Sequence, residues 1–253
     1  MAVSYNAMPI APAPVGGSLV VSLAAGEDDV RACQALRYRI FAEELGARLG
    51  SGDLGLDIDA FDPFCMHLLV RDGATGEVVA TTRLLLDRDA RRAGLFYSET
   101  EFHLEPILAL DARILEVGRT CIHADYRNGS AIAVLWAGLA RLVEMHDIDY
   151  LIGCASLPMT DEGGQALALF DRLVPQYLVP PALRVEPRLP VTAARPTGGI
   201  APPMPPLLKA YLRLGAQIGG PPCWDPLFDV ADLFIVLDRD HLARRYARHF
   251  LGR

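Results

Sequence analysis

Lysine is nearly missing from this sequence: Lys209 stands alone, and arginine carries almost all the positive charge. A single arginine is therefore weak information here, and only clusters point to a site. Positive charge is also short overall, with a formal net charge of −7 at pH 7. A general nucleic-acid binder needs a net basic surface to displace counterions, so no nucleic-acid partner is expected. No stretch approaches the roughly eighteen consecutive apolar residues of a membrane-spanning helix. The N-terminus lacks a basic region followed by an apolar run, which argues against export. Cysteines are few and scattered: Cys33, Cys65, Cys121, Cys154 and Cys223 are odd in number and show no Cys-x-x-Cys spacing. Neither a disulfide framework nor a zinc knuckle is indicated, and a reducing cytoplasm is the expected compartment.

What remains is an ordinary globular composition, 51% hydrophobic over 253 residues, enough to bury one sizeable core. That length suits one domain with insertions, expected over residues 18–253 after a flexible arm at 1–17 rich in proline and glycine. Residues 18–23 read as a strand. A helix is expected over 30–49, where Ala32, Leu36, Ile40 and Phe41 form one stripe behind an acidic first turn. Arg37 lies near that stripe, and its expected course is to snorkel to the rim. Residues 50–64 are glycine-rich and carry Asp53, Asp57, Asp59 and Asp62 with no lysine or arginine. Such carboxylates repel one another unless a cation joins them: calcium, a cationic substrate or an internal arginine. The spacing fails the EF-hand pattern, and no resident metal is expected. Residues 65–71 and 77–86 predict a hairpin through Asp72-Gly73-Ala74-Thr75-Gly76, its second strand interrupted by Arg83. An exposed basic corner is expected at 88–92 and a short connecting segment at 96–104.

The stretch around which the chain is organised is Ile114-Leu115-Glu116-Val117-Gly118-Arg119-Thr120-Cys121-Ile122-His123. It reads as an apolar strand that nevertheless carries Glu116 and Arg119. Alternate residues of a strand share a face, so these two point apart unless one residue bulges, and Gly118 is the expected bulge. A bulge also frees backbone groups to hold an extended ligand. A helix follows on the spacing of Ile132, Leu135, Trp136, Leu139, Leu142 and Val143. At its entrance Arg127-Asn128-Gly129-Ser130-Ala131 offers free N–H groups and a guanidinium suited to phosphate, although a plain helix cap is the commoner meaning. Residues 150–155 form a further strand and 165–173 a helix. Residues 175–206 contain ten prolines and are expected as an ordered flap or surface arm. A helix over 207–214 stops at Gly215, a strand occupies 227–237, and a basic amphipathic helix at 241–251 is suited to anionic lipid or an acidic partner, although packing on its own domain is the commoner meaning. The alternation of strands and helices predicts an α/β fold with neighbouring strands in part parallel.

In this order the pieces resemble the GNAT acyltransferase superfamily, where a bulged strand receives an acyl-pantetheine thioester and the following loop holds phosphate. The resemblance implies a mixed, bulged central sheet flanked by helices. It sets Val117, Gly118, Thr120, Arg127, Asn128 and Gly129 at the acyl-pantetheine and its phosphate, and Tyr211 of Tyr211-x-x-x-Gly215 near the leaving thiolate. The loop is shorter than the superfamily's usual coenzyme A pattern, which favours an acyl carrier protein donor bearing one phosphate. Arg37-x-x-x-Phe41, Asp59-x-x-Asp62, Arg83 and Glu116-x-x-Arg119 are similar to the pattern of acyl-homoserine-lactone synthases, without the tryptophan that usually follows the first helix there. A fuller similarity, from about residue 36 to 237, is to the ornithine acyl-carrier-protein N-acyltransferases of ornithine lipid synthesis. Residues 96–102, 116–121, 125–129, 135–136 and 206–216 carry it.

That resemblance implies transfer of a 3-hydroxyacyl chain from acyl carrier protein to the α-amino group of L-ornithine, giving lyso-ornithine lipid. The ammonium must lose a proton before it attacks, and Glu116 is the expected base. Amides around Val117 and Gly118 are the expected oxyanion donors, and Tyr211 the acid. Arg119 or Arg83 is expected to grip the carboxylate of ornithine, and Asp59 or Asp62 its side-chain ammonium. Arg37, Phe41 and Ser156 complete the expected substrate-binding set. No permanently bound cofactor is expected, the acyl-phosphopantetheine being a co-substrate. A cytoplasmic protein, peripheral on the inner face of the cell membrane, is expected. Two alternatives stay open: another acyl-carrier-protein-dependent N-acyltransferase, such as an acyl-homoserine-lactone or N-acyl-amino-acid synthase, and a non-catalytic acyl-carrier or lipid-binding module.

Overall fold

The computed structural model describes residues 19–194 and 203–239. In chain order it contains β1 (Leu19–Leu23), α1 (Glu27–Tyr38), β2 (Met66–Asp72), β3 (Val78–Leu86), α2 (Asp87–Ala93), β4 (Phe102–His103), α3 (Glu105–Leu108), β5 (Ile114–Ile122), α4 (Ser130–Met145), β6 (Tyr150–Pro158), α5 (Gly164–Tyr177), β7 (Glu186–Pro187), α6 (Pro206–Leu214), β8 (Gln217–Ile218), β9 (Cys223–Asp225) and β10 (Val230–Asp238). Two compact units share these elements: residues up to 94 with 117–147, and residues 95–116 with 148 onward. Strand β5 contributes its first three residues to the second unit and the rest to the first.

In the first unit the strand order is β1-β2-β3-β5. The hairpin β2-β3 is antiparallel as expected, with Leu68 opposite Thr82 and a register shift at Val70/Arg71. Its turn closes through Asp72 N–H to the Glu77 carbonyl at 3.0 Å and through Gly76, which takes φ 76°. Helix α4 packs on β1, β2 and β3, and Gly138 is its point of closest approach: a Cβ there would stand 2.6 Å from a Val21 methyl. Helix α1 starts at Glu27, where Asp29 reaches back to accept from the Ala25 N–H at 2.8 Å. It continues through Arg39–Glu44 as a π-helix, closed by Leu45 N–H to Ile40 O at 3.1 Å. This wider turn interrupts the single helix expected over 30–49.

The second unit is built on β6-β10, paired antiparallel from Tyr150↔Asp238 to Pro158↔Val230. Strand β5 joins β6 in parallel through Ile114, Leu115 and Glu116, so the sheet is mixed as expected. Strands β8 and β9 both pair with β10. The expected connector at 96–104 is a 3-10 turn, Tyr97–Thr100, followed by β4, which pairs with β7. Helix α5 runs to Tyr177 and contains Pro175, tolerated because the helix ends two residues later. Beyond it the proline-rich chain is tied along β8 and β9 by Val179 to Ile218 (3.0 Å), Val185 to Gly219 (3.1 Å) and Trp224 to Leu189 (2.7 Å). Gly220 allows that approach, since a Cβ there would stand 2.1 Å from the Val185 carbonyl. The arm at 1–17 and the helix expected at 241–251 lie outside the described residues, as do residues 195–202.

Candidate active site

One expectation about a charged residue is corrected. Arg37 does not reach the rim; its side chain is fully buried, because acidic partners wait for it inside. The arginines of 88–92 are exposed as expected, and each stands beside a carboxylate. They lie on α2, where Arg91 pairs with Asp87 (3.1 Å), Arg92 with Asp89 (2.8 Å) and Arg88 with Asp89 (3.5 Å). On β5 the residue in the left-handed region is Arg119, at φ 51°, next to the expected bulge at Gly118.

In the first unit the acidic loop is stitched to internal arginines. Arg37 forks onto Asp62, Nη1 to Oδ1 at 3.0 Å and Nη2 to Oδ2 at 3.2 Å, while its Nε meets Asp57 Oδ2 at 2.7 Å. Arg83 Nη1 donates to Asp59 Oδ1 at 2.5 Å and to Asp62 Oδ1 at 3.1 Å. Arg119 Nη2 reaches Asp59 at 3.4 Å, and its Nε lies 3.2 Å from Asp57 as an ion pair without hydrogen-bond alignment. Asp62 further accepts from Gln34 and from the Asp59 N–H, both at 3.2 Å. Three guanidiniums therefore face three carboxylates. Burial alone would raise the Asp62 carboxyl, but Arg37 and then Arg83 hold it well below the usual carboxylate range. Burial pulls on Arg83 too, yet Asp59 keeps it firmly charged. Of the expected ammonium ligands, Asp62 is fully engaged, and Asp59 keeps 23% of its side chain exposed. Phe41 packs on Leu36, Ile40 and Cys121.

Strand β5 then presents Gly118, beside which a Cβ would meet nothing within 4 Å. Its carbonyl accepts from Thr82 Oγ1 at 3.2 Å, and Thr82 and Thr120 hydroxyls lie 2.7 Å apart. At the entrance to α4, Asn128 Oδ1 accepts from the Ser130 N–H (3.0 Å) and hydroxyl (2.7 Å), an Asx turn that caps the first N–H of the helix. Gly129 turns the chain there at φ 99°, and Arg127 is committed to Glu44 at 2.6 Å.

In the second unit Glu116 is 4% exposed. Its Oε2 accepts from the Tyr97 N–H at 2.7 Å, and its Oε1 from the Ser98 N–H at 2.7 Å and the Ser98 hydroxyl at 2.5 Å. Glu99 holds that turn by accepting from the Phe96 N–H at 2.7 Å, and Arg188 Nε donates to the Glu99 carbonyl at 2.6 Å. Three donors leave at most one of the roughly four acceptor positions of a carboxylate. The identified partners of Glu116 thus belong to the 97–100 turn and those of Arg119 to the acidic loop. Ser98 Oγ also lies 3.5 Å from Cys154 Sγ. Burial, then the charges of Glu101 and Asp232, push the Cys154 thiol well up, so it is a poor nucleophile. Ser156 is exposed and donates to Asp232 Oδ1 at 2.7 Å. Tyr211 sits half-buried on α6, which Gly215 terminates at φ 102°. Among the described residues no helix is long and apolar enough to cross a membrane.

Residues 36–137 match the acetyltransferase (GNAT) domain family, so the chain contains a GNAT domain. Proteins of known name narrow the class. An L-ornithine N(alpha)-acyltransferase of Rhodobacter capsulatus is 36% identical over 96% of this chain and 98% of its own length. Those of Rhizobium meliloti and Brucella abortus are each 34% identical over 92% of this chain and 84% and 89% of theirs. The chain belongs to the L-ornithine N(alpha)-acyltransferase family. Its fold is also that of FeeM, an N-acyl amino acid synthase from uncultured soil microbes, with a TM-score of 0.54 at 11% identity over 92% of this chain and 96% of the other. The acyl-homoserine-lactone synthase LasI gives 0.52 at 13% identity over 88% and 91%.

Sequence reading passed over Ser98, Glu101, Cys154, Asp225 and Asp232. Asp232 carried a usable signal, a carboxylate within the apolar run Val230–Asp238, the same kind that singled out Glu116.

Proposed function

We propose that this chain transfers a 3-hydroxyacyl group from acyl carrier protein to the α-amino group of L-ornithine, giving lyso-ornithine lipid. The observation that carries the reading is Glu116, a buried carboxylate fixed by three donors immediately before Val117 and Gly118 on β5. Family membership supplies the acceptor class. In this reading Glu116 takes the proton from the α-ammonium, and the freed amine attacks the thioester carbonyl. Backbone N–H groups of Val117 and Gly118 receive the oxyanion, a contribution of about 3–4 kcal/mol per donor in such sites. The open space beside Gly118 suits a thioester passing close to backbone. The new C–N bond forms as the C–S bond breaks, and Tyr211 returns a proton to the thiolate.

Arg119 and Arg83 are the groups for the carboxylate of ornithine, with Arg37 and Phe41 shaping the support behind them. A donor with one phosphate agrees with an α4 entrance that is largely a helix cap, Asn128 on Ser130, and whose Arg127 already serves Glu44. Thr120 and Gly129 line the same path. The co-substrate is acyl-phosphopantetheine, with no resident cofactor or metal. The lipid product calls for peripheral contact with the inner face of the cell membrane.

The test is product mass from purified protein given 3-hydroxyacyl carrier protein with ornithine, lysine, glycine, glutamine and S-adenosylmethionine together. Acyl-ornithine is the expected product. A different amide discards the acceptor, and no product with carrier protein still bound discards catalysis.

A further inference from the structure

In the second unit one face of the sheet gathers acid, and register explains the gathering. Strand β10 sets Asp232 opposite Ser156 of β6 and Val230 opposite Asp225 of β9. Parallel pairing sets Glu116 of β5 opposite Ile152. Side chains alternate, so Glu116, Cys154, Ser156, Asp232 and Asp225 share one face. Glu101 joins them from the end of the 97–100 turn: one oxygen each of Glu101, Asp225 and Asp232 lies within 4.8 Å of the others. These residues are 6%, 8% and 3% exposed.

Donors identified on two of them are neutral. Asp225 Oδ1 accepts from the Leu227 and Phe228 N–H groups at 2.7 and 3.3 Å, and Asp232 Oδ1 from the Ser156 hydroxyl at 2.7 Å. Among the described residues neither oxygen of Glu101 has an aligned hydrogen-bond partner. Cys154 and Tyr97 stand beside it and ease its charge without the alignment of a hydrogen bond. Burial first, then the charges of Asp232 and Asp225, push the Glu101 carboxyl well above its usual range. An orphaned, buried carboxyl aimed at two others marks a place where a ligand supplies the missing donors and charge. Ser156, exposed on the same face, sets this place one hydroxyl below the surface.

The cluster also neighbours Glu116. Ser98 Oγ is 2.5 Å from Glu116 and 3.5 Å from Cys154 Sγ, and the Cys154 thiol feels Glu101 directly. Glu116 and the three acids are thus linked through one hydroxyl and one thiol, an arrangement that suits an acceptor with two amines. Resting on the acceptor proposed above, we infer that Glu101, Asp225 and Asp232 seat the side-chain ammonium of the acceptor while Glu116 faces its α-amino group. An ammonium brings three donors to three carboxylate oxygens. The acidic loop of the first unit is already matched by arginines and is not needed for this task.

The shared chemistry is a compact cation, and a divalent ion bound through oxygen is the other source. The experiment compares ornithine with norvaline, which keeps the carbon chain and lacks the second amine, as acceptors for wild type, Glu101→Gln and Asp232→Asn. The expected result is an ornithine KM raised about tenfold or more, since charge-assisted hydrogen bonds of this kind are lost. Norvaline kinetics stay as they were, and the thermal stabilisation of wild type by ornithine disappears in Glu101→Gln. Unchanged ornithine KM, or equal loss on both acceptors, overturns the inference. So does activity that EDTA abolishes and magnesium or calcium restores, with an ornithine KM indifferent to Glu101→Gln. Should a variant not fold, wild-type binding alone decides: ornithine must bind about tenfold tighter than norvaline, and equal affinity overturns the seat. Acyl-ornithine formed with unaltered variant kinetics sinks only this inference, whereas no acyl-ornithine from wild type sinks the proposed function with it.

Discussion

Each unit holds three carboxylates close together, and the two groups meet opposite fates. In the first, Asp57, Asp59 and Asp62 face Arg37, Arg83 and Arg119 in a network whose charges balance within the chain. In the second, the donors identified on Asp225 and Asp232 are backbone amides and a hydroxyl, and Glu101 has no aligned donor among the described residues. Balanced charge holds the loop in place and leaves its carboxylates no need of a further cation. Unbalanced charge costs stability until something arrives, which is the condition of a binding site. The acidic loop, the group that charge count singles out in the sequence, is the one whose carboxylates internal arginines already match.

The comparison breaks most visibly at Arg37. Arg37→Met strips Asp57 and Asp62 of their main counter-charge at positions under 10% exposed, so a loss of about 3–5 kcal/mol is expected in denaturant unfolding. A loss below about 1 kcal/mol would mean that the network is decorative. Glu116→Gln removes the proposed base and is expected to lower kcat about 100-fold or more with little change in ornithine KM. A drop of less than about tenfold would reduce Glu116 to a support for the 97–100 turn.

Local pattern made the hairpin β2-β3 and helix α4 readable, because β-branched runs around an Asp-Gly turn and an apolar stripe are signals held within a few residues. Burial of Arg37 was not readable in this way. Its partners lie 20 and 25 residues away, and periodicity says nothing about where a loop returns. Gly118 drew attention as the bulge because glycine tolerates any φ, yet the strained position fell on Arg119, whose side chain is held from outside by Asp57 and Asp59. The second acidic group needed the register of three strands before its members could be seen together.

Asp59 sharpens the comparison, being the member of the balanced group that keeps some exposure. Asp59→Asn weakens its hold on Arg83 and Arg119, and a loss of about 1–3 kcal/mol in stability is expected. Ornithine titrated against the folded variant should show a KM within about threefold of wild type; a rise of tenfold or more would return the ammonium to the acidic loop. His67 reports on the same network through pH. Burial lowers its pKa, Asp62 works the other way, and Arg37 and Arg83 lower it again, to about 4 from the ordinary 6.5. Between those values the unfolded chain binds a proton that the folded chain does not. Stability is therefore full above the ordinary value and falls on acidification by about 1.4 kcal/mol per pH unit until the folded value is reached. His67→Leu should flatten thermal midpoints across that window, with His146, which burial and Arg88 hold down, setting the residual slope.

Glu101 has the opposite sign. Its folded pKa is raised, so above the ordinary 4.5 the folded chain keeps a proton that the unfolded chain releases, and stability falls as pH rises toward the folded value. Glu101→Gln removes that slope, since an amide has nothing to titrate. Without acceptor the variant should therefore match wild type near pH 4 and exceed it at pH 8 by about 1 kcal/mol, read from thermal or denaturant midpoints. Saturating ornithine should then close the gap from the other side, because it binds and stabilises native wild type and loses its hold on the variant. If wild type is the more stable at pH 8, or if ornithine leaves the gap as it was, the three acids satisfy one another, and the difference between the two groups lies in degree of burial instead of in a waiting ligand.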